Sequence, residues 1–149
     1  MPNDRPFDEL VGTIERHGWA VRMVAPLLGE EGIAFAYTVG LTAMGHPEVV
    51  EQGLPNDVGR AFLNVVGEEV RSGRRFKSGS IVTDLSTGGQ PVAFLRVDDT
   101  SGLTAVEQVY GVVDALQLVW SDNAGHLPWE PSFGPGADRQ PLLGRWVES

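Results

Sequence analysis

Apolar positions near the start of the chain fall in two alternating runs. Trp19, Val21 and Met23 alternate with Ala20, Arg22 and Val24, which predicts a strand over 19–24. Ile33 to Gly40 predicts a second strand. One of its faces carries Phe35, Tyr37 and Val39, and the other carries Ala34, Ala36, Thr38 and Gly40, all small. A strand with one bulky and one nearly bare face lets something come close on the bare side, either packed backbone or a ligand. The stretch from Pro26 to Gly32 is rich in Gly and Glu, so the two strands read as a hairpin with a longer loop. Ahead of them, Phe7, Leu10, Val11 and Ile14 share one helical face, which predicts a helix over 7–17 closed by Gly18.

Thr42 to Pro47 reads as loop, and Glu48 to Gln52 as a short strand broken by Gly53-Leu54-Pro55. A second helix is expected over 57–72, capped by Asn56 or Asp57 and ended by Gly73. Ala61, Phe62, Val65, Val66, Glu69 and Val70 form its stripe. Ile81-Val82, Gln90 to Val97 and Ala115 to Trp120 are further strand-like runs. A third helix over 103–113 follows a capping segment, Asp98 to Gly102. From Ser121 onward Pro128, Pro131, Pro135 and Pro141 prevent regular helix, but Trp129, Phe133, Leu142, Leu143 and Trp146 predict a segment wrapped over the core. Helices and strands interleave irregularly, with no internal repeat or linker. The expectation is one α+β domain over 1–149, with a mixed, mainly antiparallel sheet and two or three helices.

Composition narrows the chemistry. There is no cysteine, which removes disulfides, thiolate metal sites and cysteine nucleophiles. No apolar run reaches membrane-spanning length and the N-terminus has no signal-peptide core, so a soluble cytoplasmic protein is expected. The formal charge of −9 argues against nucleic acid. Arg71, Arg74, Arg75 and Lys77 form one basic cluster, read as a charge complement to a helix C-terminus.

Candidate chemistry is sparse. His46-Pro47-Glu48 sets a histidine two residues from a carboxylate, the minimum for acid–base work or a hard-cation site. His17 and His126 lie in similar glycine-flanked settings, and Asp122 and Glu130 are further carboxylates; turn hydrogen bonds would explain all three histidines equally well. Asp98-Asp99 with Asp84 and Glu107 suits either a divalent cation or a helix cap, and the cap fits Thr100 and Ser101 better. Asp122-Asn123-x-Gly125 lacks a full calcium ladder and reads as an Asx turn. No phosphate loop, dinucleotide fingerprint or nucleophile elbow is present. Tyr37, Trp120 and Trp129 are core aromatics or pocket walls, and Gln117 on an apolar strand needs a partner from backbone or ligand.

Gly18-Trp19, Phe35 to Leu41, Gly45-His46-Pro47-Glu48, Gln117 to Asp122, Gly125, Pro128-Trp129 and Gln140 to Gly144 together resemble the domain-of-unknown-function 4262 family, over about residues 18–144. The resemblance implies a single-domain bacterial protein. It carries no established activity and leaves any cofactor unknown. It points to His46 and Glu48 ahead of His17 and His126.

Two functions follow as expectations. The first is a non-catalytic module binding a small molecule or a basic protein partner, with Tyr37, Thr38, Gln117, Trp120 and Trp129 at the ligand and no metal. The alternative is a hydrolase using His46 with Glu48 or Asp122, which requires the three to converge in one pocket. A homodimer through the sheet edge or Trp146 stays open.

Overall fold

The computed structural model describes residues 5–25, 33–134 and 140–146; the expected 26–32 turn and Pro135 lie outside them. The elements are α1 (Arg5–His17), β1 (Ala20–Val24), β2 (Phe35–Val39), a 3-10 turn (Leu41–Met44), β3 (Glu48–Gln52), α2 (Asn56–Arg71), β4 (Ile81–Val82), β5 (Val92–Arg96), α3 (Thr104–Tyr110) and β6 (Ala115–Trp120). The strands form one sheet in the order β1-β2-β3-β6-β5-β4. Only β3 and β6 run parallel, so the sheet is mixed and mainly antiparallel. The class is α+β. Among the described residues no helix is long and apolar enough to cross a membrane.

Side-chain alternation sorts the core onto the two faces of the sheet. On one face Leu63, Val66 and Val70 of α2 pack with Ala36, Val49, Leu116, Leu118 and Phe94. On the other, Leu10 of α1 and Ala105 and Val106 of α3 cover Tyr37, Val39 and Val50. The β5–β6 end of that second face is covered by the C-terminal segment, where Leu127, Trp129 and Trp146 lie over Ala93, Leu95 and Val119. The wrapped segment expected from its aromatics is therefore present, and Trp129 stacks on Trp146 at 4.2 Å between ring centroids.

The small face of β2 is a close-packed seam. Ala36 is fully buried beneath α2. Gly40 has a φ of +141°, and a Cβ there would run into the Gly18 carbonyl and the Trp19 backbone. The helix reciprocates with glycines. A Cβ on Gly67 would overlap the Trp19 indole, and one on Gly59 would overlap the Glu51 carboxyl.

Those glycines correct the expected α2 stripe. The buried residues are Gly59, Leu63, Val66, Gly67 and Val70, whereas Val65 is 38% exposed and Ala61 also faces solvent. Hydropathy gives a glycine no weight, so the periodicity rotated the helix toward Ala61 and Val65. The expected side-chain caps are also absent: Pro55 and Leu103 occupy the N-cap positions of α2 and α3, without side-chain bonds. Asp99 instead accepts from the Ser101 amide within its own turn. The third helix ends at Tyr110, closed by Gly111 in the left-handed conformation.

Candidate functional site

Glu48 opens β3 and is fully buried. The chain leaving β2 turns at Gly40 into the 3-10 turn, which aims successive amides inward. The Glu48 carboxylate accepts from the amides of Gly40 (3.0 Å), Leu41 (3.0 Å) and Thr42 (2.9 Å) and from the hydroxyls of Thr38 (2.8 Å) and Thr42 (2.6 Å). Thr38 Oγ1 accepts in turn from the Val49 amide at 2.9 Å. A carboxylate offers about four lone-pair sites, so five donors fill it.

His46 lies nearby with 3% of its surface exposed. The Phe76 amide donates to its Nε2 at 3.0 Å, which leaves Nδ1 to carry the proton and donate to the Pro47 carbonyl at 2.7 Å. Burial pushes the imidazole below its ordinary pKa, against the opposing pull of the Pro47 bond. His46 thus ties the Leu41–Pro47 loop to the segment after α2, as a neutral ring with both nitrogens spent.

Asp122 does not join them. Glu48 pairs with Ala115, at the start of β6, and Asp122 lies beyond the other end of that strand. At about 3.3 Å per residue the separation is roughly 20 Å. There Asp122 accepts from the amides of Ala124, His126 and Gly134 and faces His126 Nδ1 at 3.2 Å. It closes a turn.

The aromatic and amide candidates are likewise engaged by their own chain. Tyr37 Oη accepts from the Ala105 amide at the start of α3. Gln117 donates to the Pro141 carbonyl and accepts from the Leu143 amide, clamping the C-terminal segment to β6. Trp120 Nε1 donates to the Gln52 carbonyl, and Trp129 is committed to the Trp146 stack. Gln140, which sequence reasoning left without a role of its own, acts as a one-residue strand: its amide accepts from the Trp120 N–H and donates to the Trp120 C=O. In the basic cluster Arg71 pairs with Glu68 and Arg74 with Glu69 and Asp84, while Arg75 donates to the Val70 carbonyl near the end of α2. Asp84 is therefore held away from any Asp98–Asp99 cluster. Among the described residues no group of three or more His, Asp or Glu side chains is arranged to hold a metal.

Three features escaped the sequence reading. Glu51 is buried beneath Gly59 and receives one long bond, 3.4 Å from the Leu54 amide; burial pushes its carboxyl up to about 7. A small hollow of about 130 Å³ between Phe35, Val50, Val97 and Leu103 is also lined by Gln52, whose Oε1 is buried without a partner. The third is a trough along β1, the edge strand of the sheet. It consists of two adjoining spaces of about 490 and 280 Å³ that share Thr13, Ala20, Val21 and Arg60. α1 forms one wall and α2 the other. Arg22 and Arg60 enter no ion pair or hydrogen bond among the described residues, whereas Arg71 is held by Glu68 and the His17 carbonyl and lies over Trp19. No motif marks such a trough, because its residues come from three elements. The only sequence signal was an arginine, Arg22, on a strand read as part of a hairpin.

The segments that carried the resemblance are thus fasteners of the fold. The match to the domain of unknown function DUF4262 covers residues 13–134. The chain belongs to the DUF4262 family. No curated protein and no solved structure matches it. The DUF4262 match contains the Glu48 cradle, His46, the α2 wall of the trough and the Asp122 turn; it takes in only the end of α1 and stops ahead of Gln140.

Proposed function

We propose that this DUF4262 chain is a non-catalytic binding module that meets a protein partner through the trough along β1. The observation that carries the reading is the saturation of the two groups with the most chemical potential. Glu48 already holds five donors, and His46 has one nitrogen donating and the other accepting within the fold. An acid–base pair must exchange a proton with a substrate, and neither group has a free lone pair or proton facing solvent. The separation of Asp122 from both weighs against the hydrolase alternative. By contrast, the trough offers Arg22 and Arg60, which enter no ion pair or hydrogen bond among the described residues, beside a sheet edge. The net charge of −9 attracts basic proteins at long range. At contact Arg22 and Arg60 favour acidic groups, in a lining that also holds Glu9 and the Arg71-paired Glu68.

Small-molecule binding keeps one observation in its favour, the unpartnered Gln52 Oε1 at the hollow beside Phe35. A cavity of that size takes a single small ring bearing a donor, such as phenol. NMR shifts at Phe35 and Gln52 on phenol titration check it.

The main reading is tested by quantitative capture from cell extract on the wild type and on an Arg22→Glu/Arg60→Glu double variant. It expects a stoichiometric protein on the wild type and at least about ten-fold less on the variant. Turnover of an ester, phosphoester or amide that disappears in folded His46→Gln protein would overturn it.

A further inference from the structure

The backbone along β1 says more than that a partner could dock there. Gly53 donates to the Ala34 carbonyl, a hydrogen-bonded pair between the ends of β2 and β3. Ladder pairs alternate, so Ala36 and Glu51, two residues further in, form the next bonded pair. Phe35, Tyr37 and Val39 therefore turn their amides and carbonyls toward β1, where they meet Val24, Arg22 and Ala20. Val21 and Met23 are left pointing the other way. Their N–H and C=O groups face outward along the edge, and no strand among the described residues takes them.

We infer that this edge accepts an extended acidic segment of another protein, added as a strand beside β1 between α1 and α2. The inference rests on the binding-module reading and names its partner. Strand addition supplies affinity through the main chain and specificity through alternating side chains. Consecutive residues of an added strand point to opposite faces. Arg22 lies on the α1 side of the sheet, with Ala20 and Val24, and Arg60 projects from α2 on the other side. Two consecutive acidic residues would reach both guanidiniums, one on each wall. Thr13 on α1 and Asn64 on α2 add polar groups beside them; the Asn64 carbonyl oxygen already accepts from Trp19 Nε1, which aims its amide nitrogen away from the indole. A second copy of the chain is the poorer occupant, because antiparallel pairing of two β1 edges brings Arg22 and Arg60 of one copy against the same cations of the other.

The test uses the full chain and a fluorescein-labelled hexapeptide, threonine-valine-glutamate-glutamate-valine-threonine, with a counterpart carrying lysines in place of the glutamates. Anisotropy should show saturable binding of the glutamate peptide that weakens with salt, with the lysine peptide at least about ten-fold weaker. Arg22→Glu and Arg60→Glu should each weaken it by a similar factor. N-methylation of alternate peptide amides should abolish it, and hydrogen exchange should slow at Val21 and Met23 in the complex. Undiminished binding of the N-methylated peptide, without protection at Val21 and Met23, overturns strand addition while leaving the surface in place if the arginine variants still bind weakly. Insensitivity to both arginine variants, in the peptide assay and in extract capture alike, overturns the surface as well. A concentration-dependent dimer that protects Val21 and Met23 without peptide assigns the edge to a second copy and overturns the inference.

Discussion

The Glu48 cradle and the β1 trough are both rich in polar groups, and they use them in opposite ways. In the cradle a carboxylate collects five donors, one from Thr38 on β2 and four from the turn wrapped around it, and is fully buried. In the trough Arg22 and Arg60 line open space, and Val21 and Met23 present a backbone edge that no strand among the described residues pairs. The cradle is dense in recognisable motif and the trough has none. A histidine and a carboxylate two residues apart suggest catalysis only until their partners are counted. The same residues, fully partnered, are the means by which a tight loop keeps its backbone amides out of water.

The contrast can be broken by substitution, and the largest effect belongs to the cradle. Glu48→Gln sets an NH₂ group against at least one obligate amide donor in either rotamer, because both carboxylate oxygens receive backbone N–H groups. It should cost about 3–5 kcal/mol and lower Tm by about 10 °C in a thermal melt. A loss below 1 kcal/mol would mean that the cradle does not hold the fold.

Glu51 sharpens the same point, since it is as sealed as Glu48 but has one weak donor. Its carboxyl titrates near 7 in the folded chain against an ordinary value of 4.5. Between those values the folded chain keeps a proton that the unfolded chain has released, so stability falls as pH rises from about 4.5 and levels off above about 7. Glu51→Gln should remove that slope. The variant should gain up to about 3 kcal/mol at pH 8 and nothing at pH 4, read by urea unfolding at both values.

Gly67→Ala comes next. Its methyl would enter the Trp19 indole, which is tied to Asn64, and overpacking of this kind costs about 1–3 kcal/mol. The smallest effect is expected in the trough. Arg60→Glu touches no partner among the described residues and should change stability by less than about 0.5 kcal/mol, while reducing partner capture. If Arg60→Glu destabilised as much as Glu48→Gln, the two regions would not differ in kind.

Two strands were readable to the residue: β3 and β6 run over 48–52 and 115–120, bounded by Pro47 and Gly53 and by Asp114 and Ser121. The orientation of α2 was not readable. Gly59 and Gly67 mark its buried face by lacking a side chain, and only the position of Glu51 and Trp19 beneath them explains why. The segments of the candidate site were legible as segments. His46 and Glu48 lie close together, and Gln117 and Trp120 lie under the C-terminal segment. Their duties were not legible, because these depend on amides that any sequence contains and only the fold aims. The trough left only an arginine on a hairpin strand, since an open sheet edge is defined by what is missing beside it.

Amide hydrogen exchange on the free protein tests the account most directly. Gly40, Leu41 and Thr42, sealed onto Glu48, should exchange only through global unfolding, and Val21 and Met23 should exchange orders of magnitude faster. Fast exchange at Gly40 to Thr42 together with strong protection at Val21 and Met23 would contradict it.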